Sequence, residues 1–279
     1  MRVGVILGLG MAALVNLAAV RPLNPEQLER YVQTKLRFNN KTLRLNEKRI
    51  GPEGARLLAQ SPRLKNLRRL IIYKGDIGDE GIGYLAGSEN LRGLRELHVE
   101  TDKITDAGAR SIAQSPHLAS LEVLNLFHNE VGDAGAKALA QSATLARLVV
   151  LNLNYNKVGS AGTGALTQST ALTRLTRLGL AYNPLQPEGQ RSLKIFQLQK
   201  MLDTWHREGK LNNLENFYIG DLGVQLLLQS PYIREIRELN LSHNDLTDAA
   251  AIAIAESLNI GHLEALRLAG NQIPPRCRN

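Results

Sequence analysis

One cysteine stands in 279 residues, Cys277, two places from the C-terminal residue. A lone thiol excludes an intramolecular disulfide and a cysteine-built zinc site, and it leaves the redox compartment unread. Aromatic residues make up only 4% of the chain, with a single tryptophan. A core built mostly from Leu, Ala, Ile and Val suits many thin, similar layers better than one thick core. The chain has no P-loop lysine motif, no H-E-x-x-H and no G-x-S-x-G. Gly8 to Ala13 (Gly-Leu-Gly-Met-Ala-Ala) resembles a dinucleotide fingerprint, but repeats begin too soon afterwards for the βαβ unit such a loop needs. The histidines His98, His128 and His243 lack a Cys or carboxylate set at metal spacing. No cofactor, metal or small-molecule substrate is therefore expected.

What is present is a period. The segments Leu97–Ile104, Leu124–Val131 and Leu151–Val158 superimpose without gaps, and each is followed by a small-residue run such as Gly132–Ala136. Unit starts fall at Leu43, Leu70, Leu97, Leu124, Leu151 and Leu178, always 27 residues apart, and resume at Leu239 and Leu266 with the same interval. A degenerate unit starting at Asn212 is placed by matching Ile219–Gly223 to Ile104–Gly108. The interval from Leu178 to Asn212 is 34, seven residues longer than the rest.

Each unit changes character halfway. L-x-L alternation predicts a strand with one face inward. The Gly-Asp or Thr-Asp after it predicts a helix start, with Asp satisfying free amides of its own first turn. Ala136, Leu139 and Ala140 then form a short inward helical face, and Ser-Pro at 61–62, 115–116 and 230–231 ends the helix. One unit cannot bury its apolar face alone; stacked units can.

The pattern L-x-L-x-x-N-x-[IV]-[GT]-D-A-G-A resembles leucine-rich repeats of the ribonuclease-inhibitor-like subtype, over roughly residues 43–279. The resemblance implies an α/β solenoid shaped as a horseshoe arc. It would have a parallel sheet on the concave side, helices on the convex side and about nine coils of 27 residues. It also implies an asparagine that bridges adjacent coils, matched here by Asn129, Asn156, Asn183, Asn244 and Asn271. Lys48, Gly75, Asp102 and Phe217 replace that asparagine, so an imperfect ladder is expected at the N-terminal end and in the unit at Asn212. Solenoids of this kind mostly bind other macromolecules along the concave sheet, and the resemblance implies no more about function.

Residues 24–42 read as an N-terminal cap. Asn24, Pro25 and Gln27 supply an N-cap residue, a proline at the first helical position and a capping-box partner. No equivalent cap follows Leu266 to Asn271. The seven extra residues fall within 193–211, where Leu193, Phe196, Met201, Leu202 and Trp205 form a candidate apolar stripe. That stripe fits either a partner-binding ridge or a packing adjustment. Residues 3–20 are an uncharged run of 18, and 1–23 fits a signal peptide or membrane anchor. Only Arg2 and the α-amine precede the run, while Arg21, Arg30, Lys35 and Arg37 follow it, a balance that opposes export. Cell envelope or secretion is set against an atypical soluble N-terminus.

The formal charge of +8 is uneven, because 13 Lys/Arg and two acids between Arg30 and Lys74 give that segment +11. A basic end containing Arg44, Lys48, Arg49, Arg68, Arg69 and Lys74 could steer an anionic partner, or simply be a solvated face. Interleaved aromatics for base stacking are missing there, so nucleic acid is not favoured. Alternation sends the second, fourth and fifth residue of each unit outward. Tyr73, His98, Phe127, His128, Tyr155, Tyr182 and His243 thus become candidate partner-binding residues. His128, Tyr155 and Tyr182, on strands about 4.8 Å apart, would form a row roughly 10 Å long. Such a row fits binding anchors or a self-satisfied side-chain ladder. The leading expectation is a noncatalytic scaffold that binds a protein partner on its concave face. The alternative is an envelope-associated module whose basic end (30–74) binds an anionic membrane surface, polysaccharide or nucleic acid. A catalytic site would have to be assembled across coils, from His98, Glu100 and His128.

Overall fold

The repeat folds as a two-layer stack in which the 27-residue intervals from Leu43 to Leu178, and from Leu239 to Leu266, become steps between neighbouring strands. The structure, a computed structural model, describes residues 23–274; the apolar run at 3–20 and Cys277 lie outside them. Strands β1 (Thr42–Asn46), β2 (Arg69–Tyr73), β3 (Glu96–Glu100), β4 (Val123–Asn125), β5 (Val150–Asn152) and β6 (Arg177–Gly179) form one parallel sheet in sequence order. β7 (Glu238–Asn240) and β8 (Ala265–Arg267) form a second. Register follows the period, with Leu43 beside Leu70, Leu70 beside Leu97 and so on to Leu178.

The helices are α1 (Pro25–Leu36), α2 (Gly51–Gln60), α3 (Gly78–Ala86), α4 (Asp106–Ala113), α5 (Asp133–Ala140) and α6 (Ser160–Thr167). They continue as α7 (Pro187–Arg207), α8 (Gly220–Gln229) and α9 (Asp248–Ala255). Strands stack about 4.8 Å apart and helices about 8–10 Å apart, so the helix layer takes the convex side. The L-x-L leucines from Leu43 to Leu241 are almost fully buried, those of the last coil, Leu266 and Leu268, are half-buried, and α1 closes the first coil with Leu28, Val32 and Leu36. Its start is a complete capping box between Asn24 and Gln27.

Three columns of side chains join the coils, and one corrects the sequence reading. The motif aspartate does not cap its own helix. Asp106 Oδ1 accepts from the amides of Gly132 (2.7 Å) and Gly135 (2.8 Å), at the start of the next helix. Asp133 does the same for Gly159 and Gly162, and Asp79 for Thr105 and Gly108. The carboxylate still meets a helix N-terminus, where the dipole favours it, but that helix belongs to the following coil. This explains the glycine of D-A-G-A: a Cβ on Gly135 would lie 2.7 Å from Asp106 Oδ1. At the opposite end of the helices Ser88, Ser115, Ser142 and Ser169 donate to the carbonyls of Ala59, Ala86, Ala113 and Ala140, all in the preceding coil. The third column is asparagine. Asn129 donates to Val99 O (2.7 Å) and accepts from the amides of Asp102 and Ile104; Asn271 does the same for Leu241 O and the amides of Asn244 and Leu246, while Asn156, Asn183 and Asn244 each donate to a carbonyl of the preceding coil and accept from one amide there.

Coils without this asparagine solve the turn differently. In the units carrying Lys48, Gly75 and Phe217 a left-handed glycine starts the helix, namely Gly51 (φ 64°), Gly78 (φ 59°) and Gly220 (φ 62°). Asp102 is the exception. It occupies the asparagine position, fully buried, and its Oδ1 accepts from Ile77 N at 3.2 Å. Its Oδ2 is buried without a partner, the one such atom among the described residues.

The sheet breaks where the interval lengthens. The unit at Asn212 forms no strand, only a bridge between Asn213 and Asn240, because the seven extra residues lengthen α7 to 21 and carry this coil past β6. Phe196, Leu198, Leu202 and Trp205 of α7 are buried, with the Trp205 ring 4.5 Å from Phe217. The stripe therefore packs the join and does not protrude. The buried apolar residues divide there too, one cluster running from Leu28 to Phe196 and the other from Leu198 to Ile273.

Two predictions follow from these interfaces. Coils contact only their neighbours, so a weak step lets the far coils open separately. Hydrogen exchange should be earlier in 212–274 than in 97–183, with proteolytic nicking near His206–Asn213; uniform protection would show one cooperative unit. The second concerns Asp102, whose pKa burial pushes up from 3.8 to about 6. Because the folded value exceeds the unfolded one, the folded state holds the extra proton between them. Stability from this group therefore rises as pH falls through 6, levels off below 3.8, and is lost above 6. The penalty at pH 7.5 is on the order of 2–3 kcal/mol. Asp102→Asn supplies the missing donor and should stabilise by about 1–3 kcal/mol at pH 7.5. In urea titrations the gap between the two proteins should narrow at pH 5.

Candidate functional site

The fifth residue of every coil has a left-handed backbone. Glu47, Lys74, Thr101, His128, Tyr155, Tyr182, Asn216, His243 and Gly270 all have φ between 54° and 69°. The conformation costs a non-glycine residue about 1 kcal/mol. Its recurrence in all nine coils makes it part of coil geometry: the chain leaves the strand, turns the sixth residue inward to the ladder and throws the fifth outward. A bulky residue there is held away from the core on fixed backbone.

Three successive coils place rings at this position. Tyr155 and Tyr182 stack with centroids 4.0 Å apart and planes 16° from parallel. The Phe127 ring meets Tyr155 edge-on at 5.2 Å, and His128 lies 6.0 Å from Tyr155. Tyr155 is 40% exposed and Tyr182 72%. Hydrogen bonding with the Tyr182 hydroxyl raises the Tyr155 pKa above its ordinary value.

A polar network borders the rings on the N-terminal side. Arg69 holds Glu96 with two bonds of 2.6 Å, which lowers the Glu96 pKa. His98 sits between Glu96 (3.5 Å) and Glu100 (3.6 Å). Asn125 donates to Glu100 at 2.9 Å and accepts from Phe127 N. His98 is thus fixed among carboxylates, while His128 is exposed beside the rings.

Of the candidate partner-binding residues, Phe127, His128, Tyr155 and Tyr182 come together. Tyr73 lies on β2 with the Lys74 ammonium 5.0 Å from its ring centroid, and His98 belongs to the polar network. His243 follows the second sheet, beyond the break, with its ring against Gly270. The cations counted as one basic end are divided by their partners. Arg49 pairs with Asp76 (2.8 Å) and Arg69 with Glu96, while Arg68 donates to Gly93 O (2.7 Å). Lys48 lies 5.7 Å from the Tyr31 ring centroid, and Arg44 and Lys74 are exposed. Arg56 and Arg63 pair with Glu53 and Glu29.

Among the described residues no helix is long and apolar enough to cross a membrane. The leucine-rich repeat family model matches residues 117–140 and 234–255, one stretch in each block of coils. No curated protein matches the chain. Among solved structures, the Arabidopsis receptor kinase HAESA, in complex with the peptide hormone IDA and the co-receptor SERK1, is 17% identical at a TM-score of 0.34. That match covers 85% of this chain and 35% of the other, so this chain spans about a third of its length. With a strand and helix in successive 27-residue steps, and a repeat match in each block, the chain has an α/β solenoid fold of leucine-rich repeats.

Proposed function

We propose that this protein is a noncatalytic scaffold that takes a protein partner on its concave face, anchored by Phe127, His128, Tyr155 and Tyr182. The observation that carries the reading is the Tyr155–Tyr182 stack, most exposed at Tyr182 and set on backbone that recurs in every coil. Large rings already held in place lose little freedom on binding, which is why aromatics dominate interface anchors. A self-satisfied ladder accounts for the contacts among the rings, but not for a tyrosine left 72% exposed at the end of the row. His98 and Glu100 are committed to hydrogen bonds with neighbouring side chains, which favours binding over turnover. The ribonuclease-inhibitor-like subtype is supported by the helix that follows each strand from β1 to β6. The anionic-surface alternative is weakened by the pairing of Arg49, Arg56, Arg63 and Arg69 with carboxylates.

The test uses asparagine at the left-handed positions, because it tolerates that backbone better than alanine. A partner captured by the purified protein should bind Phe127→Ala/His128→Asn/Tyr155→Asn/Tyr182→Asn at least about tenfold more weakly. The variant should unfold within about 2 kcal/mol of the parent, since only exposed ring contacts are lost. A captured partner that binds the variant unchanged would place the site elsewhere.

A further inference from the structure

Asn125, Asn152 and Asn240 hold the same place, second in their coils, and two of the three already bind a carboxylate. In each, the carboxamide oxygen accepts from the amide two residues on, Phe127 N, Asn154 N or Ser242 N. The NH2 group is left to donate to the residue 25 positions back: Asn125 to Glu100 at 2.9 Å, and Asn240 to Glu215 at 3.1 Å. For Asn152 that position is Phe127, which offers no acceptor, and among the described residues its NH2 group has no partner. Asn152 lines an open cleft of about 930 Å³ between β5, β6 and the second half of α7, within the roughly 300–1,000 Å³ typical of ligand sites. Arg174, Arg177, Lys200 and Arg207 share that lining, and no Asp or Glu does. Among the described residues neither Arg174 nor Arg177 has a carboxylate partner, and both are exposed. Lys200 approaches Asp203 only at 3.9 Å, and Arg207 donates to Asp203 O and the Thr204 hydroxyl. Gly179, second in the next coil, has no side chain to fill the floor. A Cβ there would lie 2.8 Å from Asn154 Oδ1 and 3.0 Å from Asn152 Oδ1.

We propose that this cleft is a carboxylate-binding site, which takes two or more clustered carboxylates through Asn152, Arg174 and Arg177. An ionised carboxylate only accepts hydrogen bonds, and the cleft offers it an amide donor and two guanidinium groups. The fold selects this chemistry twice elsewhere, at Glu100 and Glu215, from the same position in the coil. At Asn152 the ligand supplies the carboxylate that the preceding coil omits. Arginine and carboxylate can meet through two parallel bonds, as Arg69 and Glu96 do at 2.6 Å. Four cations in one concavity without an acid raise the local concentration of a polyanion. No aromatic residue lines the cleft, so it lacks the stacking platform a single-stranded nucleic acid would use. The site is separate from the ring anchor, since neither Tyr155 nor Tyr182 lines it.

Tricarballylate, a small tricarboxylate, tests the site by isothermal titration against the full chain. It should bind at low ionic strength and weaken as salt rises. Arg174→Gln/Arg177→Gln should weaken it by about tenfold or more. Lys35→Gln/Arg37→Gln removes equal charge in the capping helix, far from the cleft, and should bind as the parent does. Asn152→Asp keeps the oxygen that accepts from Asn154 N and replaces the donor with an acceptor, so it should weaken binding by a similar factor. Circular dichroism checks that this variant folds; if it does not, the exposed arginine pair decides. A blocked tetraglutamate peptide should bind as well, and the tighter of the two ligands tells an acidic protein segment from a free acid as the source. The proposal is overturned by absence of binding of both ligands at low salt, by equal loss in the two double variants, or by undiminished binding to folded Asn152→Asp. Tighter binding of pyrophosphate than of tricarballylate would overturn it in favour of a phosphate site.

Discussion

Every coil of this protein ends in polar groups that it cannot satisfy, and the neighbouring coil satisfies them. The free amides of a helix N-terminus go to the previous coil's aspartate, as with Gly132 and Gly135 on Asp106. The carbonyl of Ala113 near a helix C-terminus goes to the next coil's Ser142. The turn between strand and helix is closed by the next asparagine, as with Val131 N on Asn156. Buried polar groups of this kind are costly when left unpaired. A single coil is therefore unstable for a polar reason as well as an apolar one, and stacking answers both. It also fixes register, because a coil displaced along the strand direction would lose all three columns together.

That constraint explains what a reading of the chain could and could not see. The leucines and the ladder asparagines were legible because their partners recur at a fixed distance in sequence. The aspartate was misread for a physical reason. Thr105-Asp106 looks like a helix N-terminus in isolation, and only the stacking distance reveals that the Asp106 carboxylate is nearer Gly132 than its own helix needs. Thr105 takes the local cap instead, accepting from Ala107 N. The serine column was not seen, because the Ser-Pro pairs read as helix stops and only Ser115 among them belongs to the column; Ser88, Ser142 and Ser169 carry no proline to mark them. The left-handed fifth position had a signal in Asn216 and Gly270, yet tyrosine and histidine at the same place obscured it. Charge was legible as a sum but not as a distribution. Arg49 and Asp76, like Arg69 and Glu96, lie 27 residues apart, so pairings across coils cancel charges that a segment count keeps separate.

The join shows what happens when the period fails. Asn183 is the last asparagine of the first block and Asn244 the first of the second, with Phe217 between them. The aspartate column stops as well, and Ser160 substitutes with a longer bond of 3.2 Å to Gly189 N. The serine column has its last member of the first block in Ser169, and in the second block Ser230 turns back to Leu227 of its own helix. Polar continuity is replaced by apolar packing of Trp205 against Phe217, and of Phe196, Leu198 and Leu202 along one helix. Apolar contact is non-directional. It can hold two blocks together without specifying register, which is why the sheet is not restored across the step.

Asp102 and the end of the first sheet at β6 are two outcomes of one rule. At Asp102 the ladder is interrupted by one atom, since an amide donor is replaced by an oxygen that can only accept. The strand still pairs there, because β2 and β3 are in full register over five residues, and the defect remains local and titratable. At β6 the whole column set is interrupted, the strand loses its neighbour, and the apolar packing of α7 takes its place. A periodic stack absorbs a wrong atom within a coil but cannot absorb a wrong length between coils. Sequence variation of the first kind alters stability, and variation of the second kind divides the sheet.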